Sequence, residues 1–318
     1  MLAPCVILNN GQKMPMLGLG TWQLEPGEIE KVIELAINAG YRHFDCAFLY
    51  DNEAEIGLAI KKKIADGTVK REDLFIVTKL WCTFCVKEEV VSACKRSLQN
   101  FGLDYVDQYL IHWPVTLKNL GRPMNIKEPF IDAVSIEYDF VETWKGMEEC
   151  VNLGLAKGIG ISNFNSKQIE KILKAATIKP VVNQVEVTPN FNQKKLIKFC
   201  KDRGIVITAY SPFGSPSRPW AAEGDPILSL DSPELVAIGK KYVKTGAQIV
   251  LRYLIEIGVV PLPKSANEIR LVENINIFDF SLSEEDIAVL DSFNSTDGRV
   301  IDLPCLKTMP NYPFDEEF

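Results

Sequence analysis

Leu74-Phe75-Ile76-Val77-Thr78-Lys79 is the stretch on which the fold turns. It is apolar on both alternating faces until it ends in a cation. A strand of that kind is buried on both sides, as in a parallel sheet. Residues 87–101 follow with apolar residues at helical spacing. Tyr105-Val106-Asp107-Gln108-Tyr109-Leu110-Ile111-His112 then gives a second such strand, ending in an imidazole.

The same alternation extends in both directions. Further strands are expected at 17–20, 41–45, 156–162, 181–186, 206–210 and 259–263. Helical spacing recurs at 28–39, where Ile29, Val32, Ile33, Ala36 and Ile37 share a face, and at 193–203 and 245–257. Ser166 and Ser232 read as helix caps. Eight β-then-α units in one series predict a (β/α)8 TIM barrel. The first residues run into a turn at Asn9-Asn10-Gly11, which predicts an N-terminal β-hairpin. At 318 residues, length alone would allow about two domains of ~150 residues. No linker interrupts the rhythm, so residues 1–318 are read as one barrel domain. Long segments at 114–140 and 294–318 break the pattern and should overhang the rim.

The bulk composition narrows the function. A net charge of −7 argues against general nucleic-acid binding. No apolar run approaches the ~20 residues of a membrane helix, and no basic leader precedes the hairpin. A cytosolic protein is therefore expected. The eight cysteines are scattered and read as reduced, buried thiols. Cys82-Thr83-Phe84-Cys85 lacks a second ligand pair, and the chain holds only two histidines, so no metal site is expected.

Four residues near the strand ends carry the chemistry: Asp45, Tyr50, Lys79 and His112. Singly, each has a plain reading as a cap, a packing ring, a surface charge or a core histidine. Delivered together to one rim, they make a proton-donating site suited to carbonyl reduction. Tyr50 is the expected donor, but a free phenol titrates near 10. Lys79 is expected to lower that value, with Asp45 holding the ammonium. His112 would orient the carbonyl oxygen.

At these residues the chain resembles the aldo-keto reductases. The resemblance rests on Gly18-Leu19-Gly20-Thr21-Trp22, Tyr41-Arg42-His43-Phe44-Asp45, Leu110-Ile111-His112-Trp113-Pro114, Gly158-Ile159-Gly160-Ile161-Ser162-Asn163-Phe164, Val182-Asn183-Gln184 and Pro263-Lys264-Ser265. It runs from the hairpin to the closing Tyr312-Pro313-Phe314. Aldose-reductase-like members are nearest, with a texture like the insect branch. The resemblance implies that Asp45, Tyr50, Lys79 and His112 are the catalytic tetrad. His112, where steroid double-bond reductases carry Glu, implies C=O and not C=C reduction.

The cofactor implied is NADPH (NADP+), laid over the barrel rim. The glycine pairs at 18–20 and 158–160 lack the third glycine of a Rossmann fingerprint. By resemblance, Ser162, Asn163 and Gln184 hold the carboxamide, and Tyr210 stacks on the nicotinamide. Thr21 and Trp22 line that area. Ser211, Pro212, Phe213, Gly214 and Ser215 wrap the pyrophosphate. Lys264, Ser265, Asn267 and Arg270 take the 2′-phosphate, with Glu273 and Asn274 at adenine.

The expected substrate pocket is apolar: Trp22, Leu49, Trp81, His112, Trp113, Trp220, Ile301 and Leu303. It should take aldehydes and ketones, with an oxidised ecdysteroid-like steroid as one candidate, in a monomeric enzyme. The rival expectation is a structural or channel-associated barrel that binds the nucleotide with little turnover. Phe48 and Thr188 stand where relatives often carry His. Ser217 stands where they carry an acidic residue that pairs with the lysine at Lys264 and latches the loop over the cofactor. Ser217→Asp is expected to slow NADP+ release in stopped-flow measurements; an unchanged rate would refute this latch.

Overall fold

The computed structural model describes residues 2–121, 133–316 and 318. Strands β1 (Cys5–Ile7) and β2 (Lys13–Pro15) pair antiparallel, with Val6 opposite Met14. Gly11 turns the hairpin at a φ of 84° and donates its N–H to Leu8 O. Glycine suits that left-handed position because it has no Cβ to clash.

The main sheet has eight parallel strands in chain order. They are β3 (Leu19–Gly20), β4 (His43–Asp45), β5 (Phe75–Leu80), β6 (Gln108–Ile111), β7 (Ile159–Ser162), β8 (Val182–Glu186), β9 (Val206–Tyr210) and β10 (Val259–Pro261). The first and last strands meet: Gly18 donates to Pro261 O at 3.1 Å and Gly20 to Pro263 O at 3.0 Å. A Cβ on Gly18 would stand 2.6 Å from Leu262 Cδ2, and one on Gly20 3.0 Å from Leu262 O. The two glycines thus let the sheet close into a barrel.

The helices are α1 (Ile29–Ala39), α2 (Glu53–Ala65), α3 (Lys87–Phe101), α4 (Phe140–Asn152), α5 (Ser166–Ala175), α6 (Lys194–Lys201), α7 (Pro233–Tyr242), α8 (Gly246–Glu256), α9 (Glu268–Ile275) and α10 (Glu284–Asp291). α1 buries the five apolar residues foreseen on its face and stops at Gly40, whose N–H caps Ala36 O and Ile37 O. Two apolar layers result. The outer one lies between helices and strands. The inner one joins Phe75, Val77, Leu110, Val182 and Val260 with Leu8 and Met14 of the hairpin segment. The hairpin therefore floors the barrel at the end opposite the strand tips.

Several local expectations need correction. Asn165, not Ser166, caps α5, in a reciprocal pair with Gln168. The Ser166 hydroxyl instead donates to Phe318 O at 2.7 Å. Ser232 does cap α7. The strand expected at 105–112 begins only at Gln108. Just before it, the Asp107 carboxylate accepts the Ile76 N–H at 3.0 Å and pairs with Arg71 at 2.8 Å, which replaces a ladder bond there. Six cysteines are buried, but Cys5 and Cys305 are exposed. Residues 122–132 of the expected 114–140 loop lie outside the described residues. Its two limbs run side by side, with Lys118 N–H bonding Val134 O and Ile136 N–H bonding Thr116 O.

His43 faces inward on β4, with Nδ1 3.1 Å from Pro15 O. Burial pulls its pKa from 6.5 down to about 4. The unfolded chain therefore binds the extra proton first as pH falls, so stability is full above ~6.5 and drains away toward pH 4. The shift corresponds to about 3 kcal/mol. Urea unfolding at pH 7 and 4.5 is expected to show that loss, with a shallower pH slope in His43→Gln; an unaltered slope would assign the acid sensitivity to other groups.

Candidate active site

β4, β5 and β6 end on the same rim, and the turn after β4 folds back over it. Phe48–Tyr50 forms one 3₁₀ turn, closed by Asp51 at a φ of 52°. This brings Tyr50 over the end of β5. Lys79 is completely buried. Its Nζ donates to Asp45 Oδ2 at 2.8 Å, to Cys46 O at 2.8 Å and to Tyr50 Oη at 3.4 Å. Those are the three donors an ammonium has. Because Tyr50 accepts from Lys79, its own O–H is left to donate elsewhere. The His112 ring stands edge-on to Tyr50, with centroids 5.9 Å apart, and packs on Trp81 at 5.4 Å. The four residues picked from the sequence are therefore brought together.

The electrostatics differ from expectation at one group. Burial pushes Tyr50 up to about 12, against the pull of Lys79. Lys79 does pull the phenol down as expected, but desolvation outweighs the cation, so the net direction is upward. The phenol stays fully protonated near neutrality and so always holds a proton to give. Lys79 is raised: burial opposes its charge, but Asp45 and Tyr50 outweigh burial. His112 is held well below 6.5, by burial first and by Lys79 second. It is a neutral imidazole at neutral pH, and its buried Nδ1 has no partner among the described residues.

The neighbouring strand ends are stitched to this group. Gln184 Nε2 donates to Asp45 Oδ1 at 2.7 Å, so both Asp45 oxygens are engaged. The Thr21 hydroxyl donates to Asp45 O. Asn163, at a φ of 62°, donates to His112 O and Ser162 Oγ and accepts from Tyr210 Oη at 2.7 Å. Ser162 in turn donates to Gln184 O. Thr21, Ser162, Asn163, Gln184 and Tyr210 thus form one continuous network with the tetrad.

The loop after β9 is sharply folded. Ser211, Gly214 and Ser215 all have positive φ, and Ser215 Oγ donates to Ser211 Oγ at 2.7 Å. Pro212 is buried, and Phe213 is partly buried against the core. Beyond β10, Asn267 caps α9 by accepting from Arg270 N–H, and Ser265 Oγ accepts from Asn267 N–H. Asn274 is buried and Glu273 half-buried on the same helix. Among the expected pocket residues, Trp22 faces Trp220 at 6.0 Å, and Trp220 Nε1 donates to Val300 O. Trp113 packs on Phe314 at 5.7 Å. Ile301 is buried, and Leu49 and Leu303 pack partly buried against the core. Phe48 stacks edge-on to Phe84, and Thr188 closes a turn with Phe191.

The model of the "Aldo/keto reductase family" matches residues 16–295. The chain belongs to the aldo/keto reductase family. "Aldo-keto reductase family 1 member A1-A" of Danio rerio is 45% identical over 300 residues, covering 93% of this chain and 91% of that protein. "Prostaglandin-E(2) 9-reductase" of Oryctolagus cuniculus is 46% identical over 319 residues, covering 98% of each. The crystal structure of a Bombyx mori aldo-keto reductase in complex with NADP superimposes with a TM-score of 0.90 at 42% identity, covering 98% of this chain and 99% of that one.

As a member of that family, this aldo-keto reductase is an NADP(H)-dependent oxidoreductase. Its residues fit the cofactor on their own chemistry. Lys264 and Arg270 are exposed and form no ion pair among the described residues, so a phosphate dianion would meet two open cations. Asn163 Oδ1 retains a lone pair for an amide donor. Sequence reasoning missed three supporting residues. Glu53 accepts from Thr78 Oγ1 at 2.6 Å and from Asn100 Nδ2 at 2.9 Å, tying the turn after Tyr50 to the strand bearing Lys79. Arg218 donates to Gly214 O and pairs with Asp225 inside the loop after β9. Glu186 bonds the C-terminal tail. The only signal for Glu186 was an acid closing an apolar strand.

Lys79→Met would remove the tetrad's cation and leave Asp45 buried without its counter-charge. Reductase kcat is expected to fall about 10²-fold or more. Steady-state kinetics with NADPH affinity as a folding control would check this; a near-wild-type kcat would exclude Lys79 from proton transfer.

Proposed function

We propose that this enzyme reduces aldehydes and ketones to alcohols with NADPH, and that Tyr50 supplies the proton. When bound, NADPH provides the hydride for the carbonyl carbon. Ser162, Asn163 and Gln184 hold its carboxamide end, Tyr210 its ring, and the 211–215 loop its pyrophosphate. Lys264, Ser265, Asn267 and Arg270 hold the 2′-phosphate, with Glu273 and Asn274 beside adenine.

The observation that carries the reading is the buried Lys79 ammonium, bonded at once to Asp45 and to the Tyr50 oxygen. As a substrate oxygen gains negative charge, it becomes basic enough to take the phenol's proton. Lys79 stabilises the charge left on Tyr50, and Asp45 keeps Lys79 fixed. Neutral His112 donates a hydrogen bond that orients the substrate oxygen without competing for the proton.

Substrates are small apolar carbonyls at the inner end and larger ketones where Trp22, Trp220, Ile301 and Leu303 extend the wall. A steroid ketone of the oxidised ecdysteroid type fits that wall, and the likeness to a reductase named for prostaglandin E(2) supports acceptance of a bulky ketone. The enzyme works as a single-domain monomer in the cytosol. The unbroken series of parallel strands supports the first part. No helix among the described residues is long and apolar enough to cross a membrane.

NADPH oxidation at 340 nm, over an aromatic aldehyde, an aldose and steroid ketones, tests the function. Turnover is expected with at least one carbonyl and is expected to drop about 10²–10⁴-fold in Tyr50→Phe. Tight NADPH binding without turnover on any of them would instead favour a nucleotide-binding structural or channel-associated barrel. Turnover of aldehydes with none of any steroid ketone would remove the steroid part alone.

A further inference from the structure

Glu186 is the last residue of β8 and has no accessible surface. A strand alternates its faces, so Glu186 lies on the same side as Gln184, which bonds Asp45. Its backbone pairs with Tyr210 of β9. A carboxylate here reaches the catalytic rim without taking part in the tetrad.

Its two oxygens serve the tail. Oε1 accepts the Val300 N–H at 2.9 Å and Oε2 accepts the Ile301 N–H at 2.8 Å. The carbonyl of the same Val300 accepts from Trp220 Nε1 at 3.3 Å. Trp220 then faces Trp22 at 6.0 Å. One buried acid therefore fixes two consecutive peptide groups of the tail and, through them, an indole from the loop after β9. Burying a carboxylate is unfavourable unless its oxygens are bonded. Two backbone N–H donors, one per oxygen, meet that need only with the tail in this single register. Arg299, spread over Phe314 at 3.5 Å and Phe191 at 4.4 Å, adds a positive charge on the same side.

We propose that Glu186 is a specificity-determining positioning residue, whose carboxylate clamps 300–301 so that Ile301 and Trp220 form a fixed outer wall of the substrate pocket. The proposal rests on the reductase reading. A small aldehyde is held at the tetrad and reaches little of that wall. A bulky flat ketone lies against it. Glu186 thus acts on discrimination between the two classes through the tail and not through proton transfer.

Glu186→Gln keeps the size and turns one acceptor into a donor facing a peptide N–H. The ratio of kcat/KM for a bulky steroid ketone over that for a small aldehyde is expected to change about ten-fold or more, through the ketone's KM. Amide hydrogen exchange at 300 and 301 is expected to quicken by a similar factor. Trp220→Phe, which keeps a ring but loses the N–H bond to Val300, should shift the same ratio, and the two changes should be non-additive. An unchanged ratio together with unchanged exchange in Glu186→Gln would overturn the proposal. If that variant fails to fold by circular dichroism, a folded Trp220→Phe with an unaltered ketone KM overturns it. If the wild-type protein turns over no carbonyl, the reductase reading fails by itself, and exchange at 300–301 still decides the clamp.

Discussion

A buried ammonium holds this rim together. Lys79 has no contact with solvent, and its three N–H bonds go to Asp45, Cys46 O and Tyr50. Removing one partner of such a pair is far costlier than any surface ion pair, because the remaining charge stays buried. Asp45 cannot move without releasing Gln184 and Lys79 together. Tyr50 is placed by the 3₁₀ turn and by its bond from Lys79. The geometry of this cluster is thus enforced by electrostatics that a water-filled cleft would not supply.

The barrel makes that burial available. Parallel strands deliver their C-terminal ends to one rim, and Gly18 and Gly20 let the first strand approach the last closely enough to hydrogen-bond. The hairpin fills the opposite end with Leu8 and Met14. The same low-dielectric interior that strengthens the Lys79–Asp45 pair also raises the Tyr50 phenol and suppresses charge on His112. In the proposed reduction, proton donation depends on charge developing on the substrate oxygen, and not on an acid already near its titration point.

Around this fixed centre the chain uses backbone contacts to place less regular segments. The tail is bonded at Ser166, Asn165 and Gln168 of the α5 start, through Phe318 O, Pro313 O and Asn311 O. The Arg218–Asp225 pair draws the loop after β9 together from within. Such ties give irregular chain a definite shape without strands or helices.

The sequence by itself determined the barrel, the order of its strands, the hairpin and which four polar residues meet at the rim. Each is written locally: doubly buried strands read as unbroken apolar runs, helices as 3.6-residue spacing, and the rim residues as polar groups at or just beyond the ends of those runs. It missed where the strand ladder starts near Asp107, because the competing Ile76 N–H lies 31 residues away in the chain. It placed the α5 cap one residue late, since Asn165 and Ser166 are both good caps and only the docked tail uses the Ser166 hydroxyl. It foresaw that Lys79 pulls the Tyr50 phenol down but not that burial outweighs that pull, because neighbouring charge is visible in a motif while desolvation is not. Glu186, Glu53 and Arg218 were likewise missed. Their partners at 300–301, 78 and 100, and 214 and 225 become neighbours only when the barrel closes and the tail and loops are folded back onto its rim.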